Sequence, residues 1–225
     1  MKIVAIIQAR LGSKRLPRKT LKLFHGYPLI DWVVSRVLAT PLISECCVAI
    51  PDGEVDDDLA KHLISIGALS FRGDEADVLG RVHGAAIEMN ADLVVRVCGD
   101  NPLVCSLELN KLIKFYLEND FDYAYNHIPR NNLYSDGFGG EICSMDLLNE
   151  IVNDAVSGSH REHMFNYIWE NPDQFRIGTF NPSPDLQFPA LRFDVDTLED
   201  FNYLSSKSIS MHMTALDIIR MFKPN

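Results

Sequence analysis

The segment Gln8-Ala-Arg-Leu-Gly-Ser-Lys-Arg-Leu-Pro-Arg-Lys19 concentrates cations, small residues and one proline in a single stretch. The first 22 residues hold Lys2, Arg10, Lys14, Arg15, Arg18, Lys19 and Lys22 and no Asp or Glu, in a protein of net charge -10. The remainder therefore carries -17, from 14 basic and 31 acidic residues. A basic loop in an acidic protein points to a local anionic ligand rather than to a general affinity for polyanions. Gly12 lets the backbone approach such a ligand, and Pro17 stiffens the exit from the loop. The expected binding surface is the backbone of Ala9, Leu11, Gly12 and Ser13 with the side chains of Arg10, Arg15 and Lys19. Arg10 can fork onto phosphate oxygens, and Lys19 supplies a point charge of the kind that stabilises a leaving pyrophosphate. Lys14 and Arg18 are expected in solvent. The P-loop pattern GxxxxGK[ST] is absent, which excludes an NTPase of that class.

Carboxylates form the second set. Asp100 follows the apolar run Leu93–Val97 through Gly99 and precedes Asn101-Pro102. A carboxylate held at a strand end suits magnesium, a hard cation that takes oxygen ligands and substrate phosphates, although an Asp there can also cap a turn. In Asp194-Val-Asp196, alternate residues of a strand would share one face, which makes Asp196 the co-ligand of Asp100. Asp194 either joins them or supports them from behind. Glu199 and Asp200 fall at an expected helix start and read as structural.

The elements that must position these residues follow from periodicity. Ile3-Val-Ala-Ile-Ile7 reads as a buried parallel strand running into the basic loop. Leu29, Ile30, Val33, Val34, Val37 and Leu38 recur at helical spacing, and Glu45–Ile50 reads as a strand. Asp56–Ile66 is expected as a helix, Ala68–Phe71 as a short strand, and Val78 to Met89 as another helix. A helix over Leu107–Asn119 follows the strand at 93–97. This alternation with short turns implies βαβ units and a mostly parallel sheet flanked by helices. Residues 127–140 are polar, glycine-rich and aperiodic, as an active-site loop would be. Beyond them a strand is expected at Gly140–Cys143 and helices at Met145–Val152 and His160–Asn171. Arg176–Phe180 and Leu191–Phe193 are expected to complete the sheet, and Thr214–Met221 to form a small terminal helix.

The basic loop resembles the signature of sugar-acid cytidylyltransferases, which make CMP-sialic acid and CMP-Kdo, and is most similar to the branch for spore-coat polysaccharide biosynthesis. Arg72-Gly-Asp-Glu-Ala-Asp-Val-Leu-Gly-Arg81, Val97-Cys-Gly-Asp-Asn-Pro102 and Asp194-Val-Asp-Thr-Leu-Glu-Asp200 fit the same branch in the same order. The resemblance implies a Rossmann-like α/β fold of the nucleotide-diphospho-sugar transferase type, one domain over 1–225, and transfer of CMP from CTP to a 3-deoxy-2-ulosonic acid with release of pyrophosphate. It implies phosphate contacts at Arg10 and Lys19 and metal-binding carboxylates at Asp100 and Asp196, with Mg2+ as the ion. It further implies a homodimer in which residues near 127–175 reach the partner. Family members read cytosine from the 72–81 segment, where Arg72 is the candidate for base or ribose, Asp74 and Asp77 either bind or cap, and Arg81 either binds or forms a salt bridge. In Tyr134-Ser-Asp-Gly-Phe-Gly-Gly-Glu141 the branch usually has Pro-Asp-Gly followed by Leu-Asp-Val-Glu, so Ser135 and Gly139-Gly140 are departures. Asp136, His160 and Arg161 are the acceptor-binding candidates, with Ser159 as the cap of their helix.

Bulk properties bound the alternatives. A chain of 225 residues with 47% hydrophobic residues can bury a core. No apolar run reaches the roughly 18 residues that span a bilayer, and no signal-peptide pattern opens the chain, so a cytoplasmic protein is expected. Five cysteines without CxxC spacing read as buried thiols. The acidic pI argues against nucleic acid as partner. Two rivals share the motifs: a glycosyltransferase holding a sugar nucleotide's diphosphate through Asp194-x-Asp196, and a nucleotide-binding regulator without activity.

Overall fold

The computed structural model describes residues 1–223. Nine strands form in chain order among them: β1 (Ile3–Gln8), β2 (Leu23–Phe24), β3 (Tyr27–Pro28), β4 (Glu45–Pro51), β5 (Leu69–Gly73), β6 (Leu93–Cys98), β7 (Tyr123–Tyr125), β8 (Glu141–Ser144) and β9 (Ile177–Gly178). The helices are α1 (Leu29–Leu38), α2 (Asp57–Ser65), α3 (Val78–Glu88), α4 (Ser106–Glu118), α5 (Met145–Asp154), α6 (Gly158–Glu162), α7 (Asn166–Glu170), α8 (Leu198–Ser205) and α9 (Ala215–Phe222).

Seven strands make one sheet in the order β5-β4-β1-β6-β8-β7-β9. β5, β4, β1 and β6 run parallel, β8 is antiparallel to both β6 and β7, and β9 is parallel to β7. The expected mostly parallel α/β sheet flanked by helices is the fold. Alternation along β1 shows why it is buried on both sides. Ile3, Ala5 and Ile7 pack with α1, α2, α4, α8 and α9, whereas Val4 and Ile6 pack with α3, α5 and α7. The chain leaves β1 toward β4 and β5, then returns to β6 on the other side. Open α/β sheets bind ligands at such a reversal, outside the carboxyl ends of the strands.

Four expectations about the second half change. The helix anticipated over His160–Asn171 is two short helices, because Met164 and Phe165 turn into the core between them. Ser157, not Ser159, caps the first of these, its hydroxyl accepting from the His160 N–H at 3.1 Å. Residues 191–193 add no strand; only an isolated bridge joins Arg192 to Asp136. Residues 194–196 also lack a ladder and are held from both ends: the Val195 N–H donates to the Asp100 carbonyl at 2.8 Å, and the Thr197 capping box starts α8. β7, a short buried strand, had no periodic signal of its own.

Candidate active site

The basic loop is built on β1. Leu11 N–H donates to the buried Asp56 carboxylate at 2.6 Å, and Thr20 Oγ1 donates to the Arg10 carbonyl at 3.0 Å. Burial pushes the Asp56 carboxyl above its ordinary range. Asp56 thus pins the loop from α2's amino end, a role that reading it as the first residue of a helix does not reveal. Arg18 takes a left-handed conformation (φ 58°), which turns the chain so that Lys19 points inward.

Asp100 reaches the same place from β6. Its predecessor Gly99 lies so close to β1 that a Cβ would stand 2.7 Å from the Gln8 carbonyl oxygen and 2.8 Å from the Ala9 Cβ. Only glycine permits that approach, and it sets Asp100 beside the loop. The Asp196 backbone N–H donates to Asp200 Oδ2 at 3.1 Å, so the residue that caps α8 also aims Asp196. Lys19 Nζ lies 2.8 Å from Asp100 Oδ2, 3.2 Å from Asp196 Oδ1 and 2.7 Å from the Val195 carbonyl oxygen. Arg15 also reaches Asp196 Oδ1, at 3.0 Å. Three segments separated by up to 177 residues therefore meet at one ammonium.

These groups border a cavity of about 1140 Å³. Gln8, Ala9, Arg10, Gly12, Ser13, Lys14, Arg15, Lys19, Asp74, Asp77, Asp100, Arg161 and Asp196 line it. Lys14 and Arg18 are exposed, as expected; Lys14 also borders the cavity, and Arg18 pairs with Asp58 at the surface. Leu11, expected in the binding surface, is buried beneath the loop and does not line the cavity; its N–H is committed to Asp56 and its carbonyl to the Ser13 and Arg18 N–H groups. Asp74 folds the segment after β5 by accepting from Ala76 N–H and Asp77 N–H, and Asp77 caps α3 through Gly80 N–H at 2.8 Å. Arg81 is buried and donates to the Asp74 and Glu75 carbonyls, supporting this wall from behind rather than forming a salt bridge.

Arg72 does not face the cavity. Its guanidinium donates to Asp57 Oδ1 at 2.6 Å and to the Pro51 and Gly53 carbonyls, because β5 pairs in parallel with β4 and carries Arg72 toward the turn after Pro51. The acceptor candidates separate as well. Arg161 lines the cavity, donating to the Val152 carbonyl and pairing with Asp77. His160 Nε2 pairs instead with Glu170 at 2.7 Å and lies outside the cavity wall. Asp136 is drawn to Arg192 by the isolated bridge, with Oδ2 4.0 Å from Nε. Burial first, and then the neighbouring Asp194, push the Asp136 carboxyl up to about 7. Arg192, unmarked by any motif spacing, forks onto Asp194 at 3.0 and 2.5 Å and approaches Asp196 at 3.9 Å.

A buried network under the cavity floor was also invisible in the sequence. Gln8 Oε1 accepts from Arg96 at 2.8 and 3.3 Å, Arg96 pairs with Glu141, and Tyr123 OH donates to Glu141 at 2.5 Å. Burial alone would raise the Glu141 carboxyl, but His127 and Arg96 overcome it and hold the group below its ordinary range. Since arginine only donates, Gln8 must turn its amide oxygen to Arg96, which leaves its NH2 as a donor on the cavity side. The departure at Gly139-Gly140 belongs to this floor: a Cβ on Gly139 would fall 2.1 Å from Asn126 Oδ1, which accepts from the Gly140 N–H.

The oxygen set around Lys19 fits a hard divalent cation, since two carboxylates and a carbonyl already converge on one positive charge. Among the described residues no cluster of three or more His, Cys, Asp or Glu makes a ready cage, so water and ligand oxygens would complete such a site. The cysteines are all free thiols; Cys98 is the one not fully buried, and burial pushes it up to about 12. No helix among the described residues is long and apolar enough to cross a membrane.

Comparison with known proteins shows the family. The family pattern described as cytidylyltransferase matches residues 4–220. The spore coat polysaccharide biosynthesis protein SpsF of Bacillus subtilis is 32% identical over 209 residues, covering 91% of this chain and 85% of that protein. The 3-deoxy-manno-octulosonate cytidylyltransferase of Trichlorobacter lovleyi is 35% identical over 119 residues, 53% of this chain and 46% of its own. A cytidylyltransferase structure from Leptospira borgpetersenii superposes with a TM-score of 0.90 at 28% identity, covering 99% of this chain and 94% of that one. A basic loop at the end of β1, two carboxylates at the mouth of the sheet and a match over nearly the whole chain lead to one assignment: the chain belongs to the cytidylyltransferase family.

Proposed function

We propose that this protein transfers CMP from CTP to the anomeric hydroxyl of a 3-deoxy-2-ulosonic acid for surface polysaccharide synthesis. The observation that carries the reading is the convergence of Lys19, Asp100 and Asp196 at the mouth of a cavity also lined by Arg10, Arg15 and Arg161. Arg10, Arg15 and Lys19 bind the triphosphate, with the loop amides beside them. The acceptor hydroxyl oxygen bonds to the α-phosphorus as the bond to the bridging oxygen breaks, and that electron pair leaves with pyrophosphate. The hydroxyl proton passes to solvent. Positioning and charge stabilisation supply most of the acceleration. Asp100 and Asp196 would hold Mg2+, which when bound neutralises phosphate charge and polarises the α-phosphoryl group.

Arg161 is the cation assigned to the acceptor's carboxylate, because it stands in the cavity wall and can exchange Asp77 for a ligand. Asp136 contributes on the Asp196 side through Arg192. The reading extends to a homodimer in which residues 127–175 meet the partner; the exposed Val156, between α5 and α6, supports that face. Light scattering after gel filtration tests it, and a monomer would remove the dimer without touching the chemistry.

The function is tested by pyrophosphate release from CTP, UTP, GTP and ATP, each with 3-deoxy-manno-octulosonate and N-acetylneuraminate. Release with CTP and at least one sugar acid is expected. Release with another nucleotide alone, or consumption of a sugar nucleotide without pyrophosphate, would overturn the reading.

A further inference from the structure

Lys19 occupies the position that the previous section gives to a divalent cation. Its ammonium has three protons and three oxygen partners, Asp100 Oδ2 at 2.8 Å, Asp196 Oδ1 at 3.2 Å and Val195 O at 2.7 Å, so its donors are fully used. The side chain is only 11% exposed, so water screens these contacts poorly. Among the described residues, Asp100 and Asp196 are the carboxylates this ammonium pairs with, and the loop that carries it has none of its own. Arg15 also touches Asp196, but it is 65% exposed and screened.

We propose that Lys19 is a placeholder cation, closing the metal site in the free enzyme and releasing it only when a nucleoside triphosphate offers the ammonium new oxygen partners. This rests on the reading of Asp100 and Asp196 as metal ligands and adds the rule by which they load. A divalent ion would need carboxylate oxygens at about 2.0–2.1 Å. At those same oxygens it competes with an ammonium already at hydrogen-bond distance, because the two positive charges repel at close range. The triphosphate resolves the conflict. Its oxygens accept the three protons of Lys19, the flexible four-carbon stem lets the head group move, and the vacated carboxylates face the same phosphates. Metal and CTP therefore enter as a coupled pair, and by linkage each strengthens the other's binding by the same factor. The arrangement also spares the empty enzyme the mutual repulsion of two adjacent carboxylates without a cation between them.

The test is binding, with no acceptor present. Mn2+ affinity is measured by electron paramagnetic resonance on the wild type, Lys19→Met and Lys19→Gln, without nucleotide and with CTP, against a CTP-only blank. Without nucleotide the wild type should bind Mn2+ weakly and both variants at least about tenfold more tightly, the effect of losing a charged contact. With CTP the wild type should gain the most, since the variants lack the cation that the triphosphate recruits. Folded variants that bind Mn2+ no more tightly than wild type would overturn the proposal. A wild type that binds Mn2+ equally well with and without CTP would overturn it too, whether or not the variants fold. If the wild type binds Mn2+ tightly with CTP but the variants gain nothing without it, the placeholder falls and the metal site stands. If no protein binds Mn2+ in either condition, both fall.

Discussion

Between Ile3 and Asp100, the groups that reach the cavity are delivered by backbone: parallel strands end at one edge, the loop follows β1, and Gly99 presses against Gln8 and Ala9. Between residues 126 and 175, side chains do the positioning. Asn126 threads against Gly139, Asn132 bridges to Thr179, and Arg161 reaches Asp77 across 84 residues of chain. A ladder repeats one pattern, so its ends are predictable once its strands are recognised. Side-chain positioning has no repeat, and each contact depends on a partner chosen elsewhere in the fold.

Breaking the link between the regions should have the largest effect. Glu141 belongs to β8 and Arg96 to β6, and the pair is buried. Glu141→Ala leaves an uncompensated guanidinium and should cost about 3–5 kcal/mol of stability, read by urea unfolding. Loss of under 1 kcal/mol would mean that the two regions are coupled by packing alone. Next come the two carboxylates at Lys19, Asp100 delivered by β6 and Asp196 held between the Asp100 carbonyl and the start of α8. Asp100→Asn or Asp196→Asn should lower turnover on the order of 10²-fold or more while the circular dichroism spectrum is kept. Near-normal magnesium-dependent turnover in either would remove them from the chemistry.

A smaller, more selective effect is expected from the side-chain-built wall. Arg161→Ala should raise the acceptor KM by roughly tenfold, the loss of one charge-assisted contact, while the KM for CTP moves little. A matching rise for CTP would place Arg161 with the nucleotide through Asp77.

The smallest concerns Asp136. Its pKa of about 7 in the folded protein lies above the ordinary 3.8, so the native state binds this proton more tightly than the unfolded chain does. Its contribution is therefore complete at low pH and is lost as pH rises from about 4 through 7. Asp136→Asn removes that loss and should stabilise by roughly 1–2 kcal/mol at pH 8 and by almost nothing at pH 4.5, after discounting for solvent. Equal unfolding midpoints at pH 8 would show that Arg192 already offsets the neighbouring charges.

Local rules made much of the first region legible. The β1 strand, the basic loop and the capping role of Asp77 follow from residue types and spacings within a few positions of each other, as does the structural role of Asp200 farther along the chain. Asp74 and Asp77 of the 72–81 segment border the cavity, but Arg72 turns away toward Asp57 because parallel pairing with β4 sets its side. The strand expected at 191–193 and the single helix over 160–171 failed for a common reason. Short apolar runs there are held by a bridge, a capping serine and core insertion rather than by a period.

Charge segregation, the alternation of apolar runs and four ordered motifs are properties of the chain read in one dimension, and they suffice to expect an α/β sheet with a basic loop at its edge. Which cation meets which carboxylate is different. Lys19 rests between Asp100 and Asp196, and Arg192 between Asp136 and Asp194, because strand order brings segments up to 177 residues apart to one point. An ion pair falls off with distance in space, not in sequence, so those partners exist only once the sheet has closed around them.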